Sequence, residues 1–337
     1  MPEDPPKPAG SGPDTKGGVP PVISGWSTPK PANSDARRRL VKRAVGIVVG
    51  DAAIAALYFV GLVLMSNWEV IAIPSLFLMP LLGGLVASYV WRSLEPAVGA
   101  VVIDTLWMTV LALTVGAAVI GEGVICLWIL FPLFYGIVLA GALIGRIIFK
   151  ANRSRVHASI LPVLALLALG EPLARVDEIS VVTDEILIHA PPSRVWREVT
   201  SFPEIPTAPS FWLFSLGLPY PMATTSSGDF VGAERSCIFS GDAVFKEKVA
   251  ELIPQQKLTF DITESPPDPE LVGHLTPHRG QFVLRDNRDG TTTLVGSTWY
   301  TLHVRPLWYF DGWTRHIFRA VHRRVMEDIR RRAETSP

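Results

Sequence analysis

The distribution of apolar residues divides this chain of 337 residues into two parts that require different solvents. From Leu40 to Leu169 the sequence is a series of apolar runs with few charges inside them. From Val176 to Pro337 it has the mixed composition of a water-soluble protein. A run of about 20 mostly apolar residues matches the hydrocarbon core of a bilayer. The chain is therefore predicted to combine a membrane part with a soluble domain.

Four apolar runs are long enough to cross a bilayer as helices. Short segments, "SNWE", "RSLEP" and "GEG", separate them, so neighbouring helices are expected to run antiparallel. Residues 37–175 are thus predicted to form an all-α transmembrane bundle. The four predicted spans are Ala44–Met65, Val70–Trp91, Ala97–Ile120 and Val124–Ile148.

Basic residues flank the first and fourth spans and predict the orientation of the bundle. Five Lys or Arg residues lie at 37–43, before the first span, and four lie at 146–155, around the end of the fourth. The first and third loops contain no Lys or Arg. Because cytoplasmic loops are enriched in these residues, the N-terminus and the segment 146–155 are predicted to be cytoplasmic.

A fifth apolar run, residues 156–173, has an uninterrupted apolar core of only Ile160–Leu169. A run this short is often interfacial or re-entrant, which would leave four spans and a cytoplasmic soluble domain. A basic cluster before it and Glu171 after it favour the alternative, in which the run crosses the membrane as a fifth span. The soluble domain is then expected on the extracytoplasmic side.

The remaining global features of the sequence exclude several classes of protein. Residues 1–36 form a Pro- and Gly-rich tail that is predicted to be disordered, because it cannot bury enough apolar surface. The formal net charge of zero gives no basic field for nucleic acid, so no nucleic-acid partner is expected. Two cysteines, Cys126 and Cys237, are too few and too differently placed for a disulfide framework.

Two acidic residues, Asp51 and Asp104, lie inside the first and third predicted spans. These spans run in the same direction, which places both carboxyl groups at a similar depth. Intramembrane carboxylates are costly and often functional, so the pair could form an ion or proton site. A polar contact between helices near the cytoplasmic interface is the simpler interpretation, and we favour it.

The soluble part, residues 176–337, follows an α+β pattern. A strand with alternating apolar residues leads into a short helix, which begins at the Pro191–Pro192 pair. Several strands follow, and one long amphipathic helix, about Trp308 to Ala333, ends the chain. One helix of this length can cover the apolar face of a curved antiparallel sheet, and a cavity remains between them.

The segment "EILIHAPPSRVWREVTSFPEIP" resembles the opening of the SRPBCC superfamily, the START-like or polyketide cyclase/dehydrase helix-grip domains. The later segments fit the remaining strands and the last helix of that family in order, so the resemblance covers about residues 179–333. It implies a membrane-anchored bacterial member of the family, located in the inner membrane. The residues that match the opening motif are Ile188, Ala190, Pro191, Val195 and Trp196.

Members of this superfamily bind lipids, sterols, polyketides or plant hormones in the cavity between sheet and helix, and a minority are cyclases, dehydratases or aromatases. No catalytic motif is shared across them, so no catalytic residue is carried over. The aromatic segment after the first helix could form an apolar cavity mouth beside the membrane, or pack in the core. The cavity residues predicted here are Trp212, Phe214, Tyr220, Phe282, Tyr300, Trp313 and Ile317.

Three hypotheses for the function follow. The leading one is a membrane-tethered binding protein whose partners are the bilayer and a hydrophobic small molecule or lipid. The second is a cyclase or dehydratase with Tyr300 or His274 as an acid–base group. The third is a small transporter or sensor, in which Asp51 and Asp104 would face each other across a polar cavity. No metal or cofactor is expected, since His274 and His278 lack a third ligand nearby.

Overall fold

The computed structural model describes residues 32–64, 74–120, 123–151, 178–200, 202, 204–268 and 270–335. The chain has two compact units, residues 1–41 and 42–337. Of the first unit, only the beginning of helix α1 is described. The contacts reported below all lie within the second unit.

The described N-terminal half consists of helices. Three apolar stretches in it, Asp35–Val60, Val98–Val119 and Val124–Phe149, are long enough to cross a membrane. A fourth, Leu76–Trp91, is shorter, so the described residues do not confirm the predicted second span. The fifth run, 156–173, lies outside the described residues. The helices are α1 (Ala32–Leu64), a π-helical turn (Pro74–Leu78) that leads into α2 (Met79–Trp91), α3 (Val98–Ile120) and α4 (Val124–Ala151).

Glycines allow α2 and α4 to approach closely. A Cβ atom at Gly84 would lie 2.1 Å from the Val138 carbonyl oxygen, and one at Gly141 would lie 2.1 Å from the Leu81 carbonyl oxygen. Small residues at such crossings allow the backbones of the two helices to contact each other directly. Any larger residue at Gly84 or Gly141 would therefore push the two helices apart.

The C-terminal half is a curled, fully antiparallel sheet of seven strands with the strand order β1-β7-β6-β5-β4-β3-β2, followed by a long helix. This α+β arrangement agrees with the predicted helix-grip domain. Its helices are α5 (Pro192–Thr200), α6 (Trp212–Ser215) and α7 (Leu307–Thr335). Its strands are β1 (Ile179–Ile188), β2 (Pro221–Ser226), β3 (Glu234–Phe239), β4 (Val244–Ile253), β5 (Lys257–Glu264), β6 (Leu275–Asp286) and β7 (Thr292–Leu302).

The two halves of helix α7 pack against different parts of the chain. In its C-terminal half, Met326 and Ile329 are fully buried in one cluster with Leu258 and Leu294 of the sheet. In its N-terminal half, Tyr309, Phe310, Trp313 and Ile317 join a second cluster, which contains residues of α4. The same helix therefore closes the sheet and contacts the helical bundle.

Two local predictions were wrong. Residues 275–278 belong to β6, although Pro277 suggested a loop, and β2 was not predicted at all. Pro277 lies outside the part of β6 that pairs with β5, Arg279–Val283, and its register partner is Tyr300 of β7. The register of β6 against β7 also shifts between Pro277 and Arg279, as is common where a proline interrupts a ladder.

Candidate functional site

The helix-grip domain is attached to the beginning of α4. The carboxylate of Glu270 accepts hydrogen bonds from the backbone N–H groups of Ile125 (2.8 Å) and Cys126 (2.9 Å). The first N–H groups of a helix have no partner within the helix, and the positive end of the helix dipole favours an anion there. Glu270 thus provides a cap for α4 from a different part of the chain.

Apolar and aromatic side chains extend this attachment. Ile125, Ile129 and Leu213 are buried together at the contact. The Tyr309 hydroxyl donates a hydrogen bond to the Ile129 carbonyl oxygen at 2.5 Å. The partly buried residues around this contact are Phe211, Leu218, Tyr309, Phe310, Trp313 and Ile317. The aromatic segment after the first domain helix therefore packs partly against the bundle.

A large cavity of about 1640 Å³ lies between the bundle and the helix-grip domain. Its wall on the bundle side comes from α1, α3 and α4, and includes Tyr58, Leu113 and Leu130. Its wall on the domain side includes Trp313 and Ile317 of α7. Most of the lining is apolar, so the cavity suits a hydrocarbon chain better than a polar solute.

A small cavity of about 120 Å³ adjoins the large one inside the helix-grip domain. It lies between the sheet and α7, and the residues that line it include Arg235 and Glu247. The side chains that line both cavities, and so form the partition between them, are Phe239, Phe245, Phe318 and Val321.

Arg235 and Glu247 form a buried ion pair that leaves hydrogen-bonding groups unused. The residues are 3% and 6% exposed, and Arg235 Nε lies 3.4 Å from Glu247 Oε2. Arg235 Nε and Nη1 and Glu247 Oε2 nevertheless have no hydrogen-bond partner among the described residues. The Arg235 guanidinium lies over the Phe260 ring, 4.6 Å from its centre. Burial raises the pKa of Glu247 to about 7, although the nearby Arg235 charge opposes this shift.

A chain of hydrogen bonds lies beside the same cavity. His322 Nε2 is 2.8 Å from the Thr298 hydroxyl, and His322 Nδ1 is 2.8 Å from a carboxylate oxygen of Asp184. The imidazole is buried, while Asp184 is partly exposed and also lies 3.7 Å from Arg319. A hydroxyl, an imidazole and a carboxylate in this order can hold and transfer a proton.

Sequence reasoning missed these polar residues. His322 and Glu247 were not among the candidate site residues, although both are buried. The available signal was the period of two along a strand. Glu247 lies two residues from both Phe245 and Val249 and so shares their inward face. Asp184 lies on the inward face of β1 for the same reason. His322 similarly lies four residues before the buried Met326.

Only part of the predicted cavity set lines a cavity. Phe282 lines the small cavity, and Trp313 and Ile317 line the large one. The Trp212 side chain is exposed at the surface, and Phe214 is buried in ring contact with Phe211.

The other two predicted cavity residues also lie outside both linings. The Tyr220 ring packs between Phe214 and the Arg324 guanidinium. Tyr300 is fully buried and donates a 2.6 Å hydrogen bond to Asp311, and burial raises the pKa of its hydroxyl well above the usual value. Neither residue lines a cavity, and the Tyr300 hydroxyl is bonded to Asp311, so its role as an acid–base group stays a prediction.

The two carboxyl groups that were predicted to lie inside the membrane, Asp51 and Asp104, have different environments. Asp104 accepts hydrogen bonds from Arg43 on α1, with Nε–Oδ2 and Nη2–Oδ1 distances of 2.7 and 2.6 Å. This is the polar contact between helices that we favoured, with Arg43 as a partner that the sequence had not indicated. Asp51 lines the large cavity, and its carboxylate oxygens have no hydrogen-bond partner among the described residues. Asp104 is absent from the lining of that cavity, so the described residues do not show the two carboxyl groups facing each other across it, as the transporter hypothesis expects.

The two histidines considered as metal ligands have other neighbours. His274 Nδ1 lies 3.4 Å from Cys126 Sγ, and His278 Nε2 lies 2.8 Å from the Thr301 hydroxyl. Within the part of the chain that the structure describes, no group of three or more His, Cys, Asp or Glu side chains is arranged to hold a metal ion.

Comparison with known proteins gives structural likeness alone. No protein-family profile and no curated protein matches the sequence. A structural-genomics protein of Nitrosospira multiformis is 19% identical, covers 46% of this chain and 97% of its own length, and has a TM-score of 0.33. Norcoclaurine synthase of Thalictrum flavum, solved with dopamine and hydroxybenzaldehyde, is 15% identical to this chain. The match covers 44% of this chain and 86% of the synthase, with a TM-score of 0.30.

Proposed function

We propose that the protein is a membrane-tethered binding protein that holds a hydrophobic or amphipathic ligand between its bundle and its helix-grip domain. The observation that carries the proposal is the cavity of about 1640 Å³, which both parts of the chain line. Pockets for small ligands usually measure about 300–1,000 Å³, so this volume suits a lipid-sized molecule. A wall shared with the bundle gives such a ligand a short path from the bilayer.

The arrangement of α4 supports an extracytoplasmic position for the domain. The domain contacts α4 at Ile125 and Ile129, whereas the basic residues that favour the cytoplasm begin at Arg146, near the other end of this 28-residue helix. Strand β1 also begins at the side facing the bundle, because Ile179 pairs with Thr301, next to cavity residue Leu302. We therefore favour a fifth crossing by residues 156–173 of a bacterial inner membrane.

A reporter fused after Pro337 tests this orientation. Alkaline phosphatase at this point should be active and green fluorescent protein should be dark, since the first needs the periplasm and the second the cytoplasm. The same two reporters fused before Met1 should give the reverse result. A fluorescent C-terminal fusion would place the domain in the cytoplasm and exclude the fifth crossing.

Lipid extraction from the purified full-length chain, followed by mass spectrometry, tests the binding function. Gly116→Phe should reduce the retained amphiphile, because Gly116 lines the large cavity and has open space around its Cα. Gly136→Phe is the matched control, because Gly136 has equal space but does not line that cavity. Wild-type protein without any retained amphiphile, or equal retention in all three proteins, would contradict the proposal.

A second candidate function, an acid–base enzyme acting on the bound amphiphile, is favoured by the Thr298–His322–Asp184 hydrogen-bond chain. For this candidate, His322→Gln should change the mass of the retained molecule, because unconverted substrate would accumulate. His316→Gln is the control, since His316 lies on the exposed side of α7. Identical retained molecules in the wild type and both variants would leave binding as the function.

A further inference from the structure

We propose that the small cavity is the headgroup subsite for this ligand, that Arg235 binds a carboxylate there, and that the ligand is therefore a long-chain carboxylic acid. The inference rests on the proposed binding function and adds the chemical class of the ligand. The hydrocarbon chain would occupy the large cavity, on the other side of the shared partition.

Arg235 has the donors that such a headgroup needs. Its Nε and Nη1 atoms are buried and have no hydrogen-bond partner among the described residues. Buried donors of this kind are rare in native proteins, because an unmet hydrogen bond is costly. A guanidinium presents its N–H groups as a planar fork that fits the two oxygens of a carboxylate.

Glu247 does not already fill this role. Its nearest distance to Arg235 is 3.4 Å, and its Oε2 atom also lacks a hydrogen-bond partner in the described structure. The other titratable groups around the cavity are Cys237 on β3 and His322 on α7. Burial favours the protonated form of Glu247 at and below a pH of about 7. A protonated Glu247 leaves the positive charge of Arg235 available to an anion, whereas above this pH the Glu247 carboxylate competes with the ligand for Arg235.

The dimensions of the two cavities match the two parts of a fatty acid. A volume of about 120 Å³ accommodates a carboxylate and its first methylene groups but no bulky polar headgroup. Phe239, Phe245 and Phe318 belong to both linings, so a chain that passes them moves from the small cavity, which Arg235 lines, into the large one. The Phe239 and Phe245 rings are packed against each other, 4.9 Å apart.

Binding of radiolabelled oleate and oleyl alcohol to the full-length protein in phosphatidylcholine nanodiscs at pH 8 tests this assignment. The two probes have the same chain, so a difference in affinity reports the headgroup. The wild type should prefer oleate. Arg235→Gln should weaken oleate binding roughly tenfold or more, because hydrogen bonds to charged groups are lost, and should leave oleyl alcohol unaffected.

Two further variants separate this effect from structural damage. Glu247→Gln should strengthen oleate binding at pH 8, because it removes a carboxylate that competes for Arg235. A merely damaged domain would bind less in both variants, whereas the proposal requires opposite changes. Arg285→Gln is the control for loss of an arginine, since Arg285 is an exposed residue of β6 paired with Glu185 at 3.6 Å.

The outcomes distinguish the headgroup assignment from the binding function. Equal affinities of the wild type for oleate and oleyl alcohol, or unchanged oleate binding in Arg235→Gln, would overturn the assignment and leave the binding function in place. Weaker oleate binding in Glu247→Gln would overturn it as well, even if Arg235→Gln does not fold. Failure of the wild type to bind either probe would overturn the proposed function itself.

Discussion

At the scale of single residues, the buried carboxyl groups differ in whether a neighbouring cation donates hydrogen bonds to them. The two Asp104 oxygens both accept hydrogen bonds from Arg43, whereas Glu247 lies near Arg235 without forming one. Removal of one partner from a buried, hydrogen-bonded pair leaves an uncompensated charge. A loosely paired carboxyl group in an apolar environment instead retains its proton.

Arg43→Gln is expected to destabilise the bundle by about 3 kcal/mol, because the Asp104 carboxylate would remain buried without a cation. Arg39→Gln is the matched control, since Arg39 is an exposed residue of the same helix. Thermal unfolding of the two variants in the same detergent measures the difference. Equal midpoints would show that the Asp104 ion pair contributes nothing to stability.

Glu247→Gln should alter the dependence of stability on pH. The pKa of Glu247 is raised from 4.5 to about 7 in the folded state, so the folded chain binds this proton more strongly than the unfolded chain. Its contribution to stability is complete below pH 4.5 and is lost as the pH rises through about 7. The groups facing Glu247 are Arg235, Cys237 and His322, and burial also raises the Cys237 pKa, to about 12.

The unfolding midpoints of the wild type and Glu247→Gln should therefore be closest near pH 5, and the wild type should lose more stability towards pH 8. Glu264→Gln is the control, because Glu264 is exposed and paired with Lys246 on the surface. Parallel pH profiles for the wild type and Glu247→Gln would contradict the raised pKa.

At the scale of elements, α4 and α7 define how the two parts of the chain meet. The beginning of α4 receives the Glu270 carboxylate, and the first turns of α7 pack on the same end of α4. Both contacts involve helix termini, where backbone groups are free to bond outside the helix. The attachment therefore depends on a few residues rather than on a large surface.

Glu270→Ala should expose the Ile125 and Cys126 amides, and their hydrogen exchange should accelerate roughly tenfold or more, since hydrogen bonds to a charged acceptor contribute about 1.5–3 kcal/mol. Hydrogen-exchange mass spectrometry of peptides covering residues 123–130 measures this change. Glu251→Ala, which removes a partner of Lys257, serves as the control. Unchanged exchange would show that other contacts hold this end of α4.

The helices and strands could be predicted from the sequence better than the contacts between them. Alternation along β1 and the apolar stripe of α7 predicted a sheet covered by a helix, and the apolar runs predicted the bundle. The contact of Glu270 with Ile125 joins residues that are 145 positions apart, and no local pattern encodes it. Tyr300 shows the same limit: its inward direction follows from alternation, but its hydrogen bond to Asp311 does not.

At the scale of the whole molecule, the shared cavity makes each part incomplete without the other. A domain consisting of residues 176–337 alone would expose the aromatic residues Tyr309, Phe310 and Trp313, which pack on α4 in the full chain. Exposed apolar patches of this kind promote association. The large cavity would also lose its wall from α1, α3 and α4.

The isolated domain is therefore expected to self-associate and to retain less amphiphile than the full-length protein. Size-exclusion chromatography and lipid extraction of both proteins, prepared in the same detergent, measure the two effects. Trp313→Gln in the isolated domain should reduce the association, while Trp308→Gln, at an exposed position, should not. A monomeric domain that retains a full amount of amphiphile would show that the bundle serves only as an anchor.

Under the proposed function, the contribution of α1, α3 and α4 to one wall also makes bilayer thickness a variable of ligand binding. Helices in a bilayer adjust their tilt when the hydrocarbon thickness changes, and each adjustment costs a fraction of a kcal/mol per Å of mismatch. In the proposed orientation, a change of tilt in these helices alters the volume between them, so lipids that never enter the cavity could control its occupancy.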